Sequence, residues 1–147
     1  MRIYARVHLP LRRRVASAGG DVTPPLYSDS EEGDVTDTVL VVTFNEAVNS
    51  VTSDYVTGVT IKVNAVTQTI VSGIRQVNQA VIHYTLAATP DANDVITFEY
   101  SDVAGNIADL AGNQLGDIVA QTADNNIGEH LRFTEISDGV HYFAQLT

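Results

Sequence analysis

The residues best suited to chemistry in this 147-residue chain are hard oxygen donors in a repeated pattern. They are Asp102-Val103-Ala104-Gly105-Asn106 and Asp109-Leu110-Ala111-Gly112-Asn113. Two explanations compete. In a type I turn the leading Asp accepts hydrogen bonds from the backbone N–H groups that follow, and Gly takes the left-handed conformation. In the alternative, Asp102, Asn106, Asp109 and Asn113 converge as oxygen ligands for calcium. The spacing is not that of an EF-hand loop, and no bidentate Glu closes it, so the turn is the leading expectation. A second acidic group, Asp29, Glu31, Glu32, Asp34 and Asp37, is expected to form a solvated, self-repelling loop. A cation site or a landing place for basic residues is its alternative.

Other chemistry finds little support. With no Cys there is neither a disulfide framework nor thiolate catalysis nor a Cys-based zinc site. His8, His83, His130 and His141 show no metal-ligand spacing. Nucleophile-elbow, phosphate-loop and dinucleotide signatures are missing from the sequence. The expectation is a binding or structural protein with no catalytic residues. Trp is absent too, which leaves Tyr27, Tyr55 and Tyr142 as the candidates for stacking on a sugar.

Charge is divided unevenly along the chain. Residues 1–20 hold Arg2, Arg6, Arg12, Arg13 and Arg14 and no acid, a charge of +5. Residues 21–147 set Lys62, Arg75 and Arg132 against all eighteen acids, a charge of −15, and the two parts sum to the chain's −10. Phosphate would be repelled by such a body, so nucleic acid is not an expected partner of it. The five arginines are the candidate partner-binding residues, suited to an acidic protein surface, another copy of this chain included.

These residues need elements to position them. Residues 2–9 alternate polar and apolar, as a half-buried strand does, and Arg12–Gly20 reads as a linker. From Asp21 onward, short β-type runs are separated by turn residues at the spacing of a sandwich. The expected strands are Leu26–Ser30 at an edge, Thr38–Phe44, Val59–Asn64 with Val66–Val71 as its neighbour, Ala80–Leu86, Val95–Ser101 and Leu115–Ala123. Ser50–Thr57 is a place for one short helical turn. Beyond Asn126, Leu131–Ile136 and Val140–Leu146 flank Ser137-Asp138-Gly139, a hairpin signal. The organisation is thus an Arg-rich arm (1–20), a sandwich (21–126) and a C-terminal hairpin (127–147).

The runs Asp21-Val22-Thr23-Pro24-Pro25, Val41-Val42-Thr43-Phe44-Asn45-Glu46-Ala47-Val48 and Gly58-Val59-Thr60-Ile61, with Asp94–Asp102 and the two Asp-x-x-Gly-Asn motifs, carry a resemblance. Over residues 22–126 the sequence is similar to bacterial immunoglobulin-like repeats, such as those of the large cyanobacterial cell-surface swimming-motility protein and related adhesins. The resemblance implies an all-β, immunoglobulin-like antiparallel β-sandwich. Repeats of this type occur many times in giant exported chains, or as accessory domains of phage virion proteins. Here there is one copy. The N-terminal residues lack the continuous apolar block of an exported leader, and no apolar run is long enough for a membrane-spanning helix. The expectation is a virion protein made in the host cytoplasm, a capsid decoration or accessory tail protein. It would be bound through its arm to other virion proteins or to copies of itself in an oligomeric assembly, with host glycans as candidate partners of its loops. The alternative is a calcium- or carbohydrate-binding module at a bacterial cell surface.

Overall fold

The computed structural model describes residues 20–33, 35–49 and 55–128. The arm with its five arginines, Asp34, and the expected C-terminal hairpin with Tyr142 lie outside these residues, as does most of the expected helical turn. The described residues form no helix, and hence none long and apolar enough to cross a membrane.

Among the described residues, nine strands make two sheets. They are β1 (Tyr27–Glu32), β2 (Val39–Phe44), β3 (Val59–Val63), β4 (Val66–Thr67), β5 (Ile70–Arg75), β6 (Val81–Leu86), β7 (Ile96–Tyr100), β8 (Ile118–Thr122) and β9 (Asp124–Asn125). One sheet has the order β5-β6-β2-β1-β9 and the other β4-β3-β7-β8. The pairings are antiparallel except β1 with β9, which is parallel. That exception follows from the path of the chain. After β8 it passes from the second sheet to the first at Ala123 and arrives beside β1 running the same way.

Period-two alternation explains how the sandwich closes, because successive side chains of a strand point to opposite faces. On β2, Leu40, Val42 and Phe44 are buried, and on β6 so are Ile82, Tyr84 and Leu86. Facing them are Ile61 of β3 and Ile96, Phe98 and Tyr100 of β7. The Tyr84 and Phe98 rings meet with centroids 5.7 Å apart and planes tilted by 42°. The sides turned outward carry polar residues such as Lys62 and Glu99, joined at 2.6 Å. This half-exposed pair is worth only about 0–1 kcal/mol.

Three expectations are corrected. The run Val66–Val71 is not one neighbour of β3: Val66–Thr67 pairs with β3, whereas Ile70 begins β5, which pairs with β6 in the other sheet. The first strand is not an edge, since β1 lies between β2 and β9. Nor is the acidic run a loop at its start, although Asp37 does lie in an exposed turn. Asp29, Glu31 and Glu32 belong to β1, and Glu32 is fully buried. The cause is a register shift. Tyr27 pairs with Phe44 but Asp29 pairs with Thr43, so Ser28 is an extra residue in β1. A bulge of one residue exchanges the faces of everything beyond it. It turns Ser30 and Glu32 inward, opposite Val42 and Leu40, where uninterrupted alternation from Tyr27 would have placed Asp29 and Glu31.

Candidate functional site

Three segments distant in sequence meet at one end of the sandwich: the entry to the body at Asp21, the turn after β2 at Glu46, and the β7–β8 connection at Asp109. A carboxylate oxygen from each of Asp21, Glu46 and Asp109 lies within 4.8 Å of the others. Asp21 is exposed, Glu46 half-buried and Asp109 buried. Local bonding holds each segment in place. Asp109 bridges to Val48, the Asn49 N–H donates to the Ala108 carbonyl at 2.7 Å, and the Asn45 side chain accepts from the Leu26 N–H at 2.7 Å.

Asn113 organises the cluster. Its backbone N–H donates to Asp109 Oδ1 at 2.8 Å and its side-chain amide to Oδ2 at 2.6 Å. The same amide reaches the carbonyl of Asp21 at 3.1 Å, tying the entry segment to the loop. Burial acts to push the Asp109 carboxyl up, but the bonds from Asn113 and from the backbone of Gly112 and Ala111 outweigh it. The group is held below the ordinary aspartate value. Glu46 moves the other way, raised by burial and then by the charges of Asp21 and Asp109. One carboxylate is thus fixed in its charged form, and its neighbour is destabilised in that form. An oxygen-seeking divalent cation would relieve the repulsion, and Asp21, Glu46 and Asp109 are the residues able to hold it.

The four residues singled out in the two motifs separate. Asp109 and Asn113 are together in this cluster. Asp102 is exposed, and its N–H is bound by Asp117 Oδ1 at 2.8 Å; it is not among the three clustered carboxylates. Asn106 sits at half-buried depth beside Ile107. The turn explanation fits the second motif, where Gly112 has a φ of 97° and Asp109 accepts from Asn113. In the first, Asp102–Ala104 also form a turn, closed by the Gly105 N–H on the Ser101 carbonyl at 2.8 Å, but the left-handed glycine is corrected, because Gly105 does not have positive φ. Gly105 is required for space: a Cβ there would stand 2.1 Å from the Tyr100 hydroxyl, which accepts the Ile107 N–H at 2.9 Å.

Asp21 and Glu46 were not anticipated as ligands. Both lie in the motifs of the resemblance, but their approach to Asp109 spans dozens of residues and leaves no local signal. Two of the sugar-stacking tyrosines are corrected as well. Tyr55 is buried, and the Tyr27 ring stacks on Phe98 at 6.0 Å while its hydroxyl shares a 2.7 Å bond with Ser30.

A second unusual group lies in the interior. Both oxygens of Glu32 are buried without a hydrogen-bond partner, and burial, reinforced by Asp37, pushes its carboxyl up to about 8. Open grooves also mark the surface of the described residues. One, of about 410 Å³, is lined by Pro25–Tyr27 and Leu115–Val119 with Gln121. Another, of about 260 Å³, lies around Gly58, Thr60, Glu99–Ser101 and Asp117–Val119.

No family model matches the chain, and no curated protein or solved structure does.

Proposed function

We propose that this chain is a structural protein of a phage particle, a decoration or accessory tail protein and not an enzyme. In this reading an immunoglobulin-like sandwich is displayed on the particle and anchored by the basic arm. The sheet orders support the immunoglobulin-like part. β5-β6-β2-β1 and β4-β3-β7-β8 correspond to strands D-E-B-A of one immunoglobulin sheet and C′-C-F-G of the other. The observation that carries the anchoring is the division of charge, +5 on residues 1–20 against −15 on the remainder. An alternating strand with arginines on its polar face adds to a sheet edge through main-chain bonds, and its charges select an acidic partner. Many copies on one particle would make individually weak contacts strong together. Replacing Arg2, Arg6, Arg12, Arg13 and Arg14 together by Gln should leave the sandwich folded and remove the chain from purified particles. Particles that retain the substituted chain at full occupancy refute the anchoring role.

A second reading, the calcium-binding module of a bacterial surface adhesin, is favoured by the Asp21–Glu46–Asp109 cluster. Calorimetric titration with Ca²⁺ tests it: saturable heat and a higher melting temperature support a cation-braced module, and neither would be seen if the carboxylates only order the turn. The carbohydrate form of this reading is weakened by the packing of Tyr27 and Tyr55.

A further inference from the structure

The edge of the second sheet is poorly guarded. Among the described residues β8 pairs with β7 alone, and its sequence, Ile118-Val119-Ala120-Gln121-Thr122, has no charge and no Pro, the usual protections of an open edge. One bulge interrupts it, since two residues of β8 separate the partners of Phe98 and Tyr100 where β7 has one. Beside this edge runs the larger groove, whose wall includes Pro25, Leu26, Leu115, Ile118 and Val119. Leu26 and Val119 are 59% and 76% exposed. Apolar side chains and a strand edge that no second described strand covers therefore lie side by side, with the Val119 carbonyl held by the Gln121 side chain at 3.1 Å. These are the two features that accept an added strand.

We propose that residues 2–9 of this same chain dock in the groove and add to β8 as an antiparallel strand. This rests on the reading of the arm as a strand-forming basic tether and describes the chain free of any particle, where no partner edge competes for residues 2–9. Ile3, Ala5, Val7 and Leu9 would cover the groove while Arg2, Tyr4, Arg6 and His8 face solvent.

Reach, direction and charge agree. β1 and β8 begin at the same end of the sandwich, because Pro25–Tyr27 and Leu115–Val119 line one groove. The described chain starts close by, with Asp21 tied to Asn113. Residues 10–19 span up to about 33 Å when extended, whereas a five-residue strand is roughly 17 Å long. A strand antiparallel to β8 ends where this linker must begin. It also brings Arg12–Arg14 beside Asp117 and Asp102, which are bonded to each other at that end. The chain's own arm is favoured over another copy's because a short tether holds it at about millimolar effective concentration.

Hydrogen exchange on the full chain, followed residue by residue over a range of protein concentrations, tests this. Amides within residues 3–9 should exchange at least about tenfold more slowly than an unstructured chain, independently of concentration. The Leu26→Lys/Val119→Lys pair, at two exposed positions, should return them to the unstructured rate while β2 and β6 stay protected. Val7→Asp, which leaves the sandwich unaltered, should do the same. The proposal is overturned if residues 3–9 are unprotected in the unsubstituted chain. Protection that survives these substitutions places the arm elsewhere, and protection that grows with concentration assigns the groove to a second copy; either result overturns it too. Loss from particles on arginine replacement is a separate measurement, so the anchoring role and this docking site fail independently.

Discussion

Glu32 offers the sharpest test of the physical account. Its carboxyl is fully buried, faces the interior because of the bulge at Ser28, and has no hydrogen-bond partner. Charging it there is costly, so its pKa lies at about 8 against an ordinary 4.5. The native state therefore binds a proton more tightly than the unfolded state. Stability is unaffected below pH 4.5, falls as pH rises toward 8, and levels off above that value. Each pH unit in this window is worth about 1.4 kcal/mol, so the loss is ~3 kcal/mol at pH 7 and ~5 kcal/mol above pH 8. Glu32→Gln keeps the shape and removes the titration. Urea denaturation of both proteins from pH 4 to pH 9 gives the comparison. The amide, also unpartnered, shifts the variant's stability by a constant amount, so the slope is what matters. The stability difference should grow in favour of Gln by about 1.4 kcal/mol per pH unit between pH 5 and 8 and be level on either side. Two curves that stay parallel throughout would sink the argument, because a carboxylate that ionises freely in the native state is not buried as described.

Other expectations concern the carboxylate end. Asp109 is held below its ordinary value, so its bonds contribute stability above the unfolded aspartate pKa that is lost as pH falls through the folded one. Asn113→Ala should therefore move the acid-unfolding midpoint to higher pH, seen in thermal melts between pH 2 and pH 5; an unmoved midpoint refutes the role given to Asn113. Glu46→Gln removes a repelled charge and should raise the melting temperature in a chelator-containing buffer while weakening any Ca²⁺ binding in calorimetry. If binding is unchanged, Glu46 is not a ligand. Gly105→Ala drives a methyl group into the Tyr100 hydroxyl and should cost about 1–3 kcal/mol by urea denaturation. A neutral result would mean that the loop has room to move.

Local pattern was enough to find most strands. The alternation of Leu40, Val42 and Phe44, of Ile82, Tyr84 and Leu86, and of Ile96, Phe98 and Tyr100 names their buried faces directly, because side-chain direction in a strand depends only on parity. The Asp109–Asn113 turn was readable for the same reason: its bonds run between residues four apart. Parity also explains the failure at β1. Ser28 resets it, and nothing in Tyr27-Ser28-Asp29-Ser30-Glu31-Glu32 marks the extra residue, which is defined only against Phe44 and Thr43 on the neighbouring strand.

What the amino-acid order determined by itself was the supply of parts: β-forming runs, turn residues, a core's worth of apolar side chains, and a basic segment joined to an acidic one. Tertiary structure alone decided which sheet received Ile70–Arg75, that Glu32 would be inside, and that Asp21, Glu46 and Asp109 would share one corner. The reason is range. Periodicity and turn chemistry act over a few residues, whereas register and convergence are set by partners up to about ninety positions away, and the charge–charge energies of such a corner come into being only when the chain has closed.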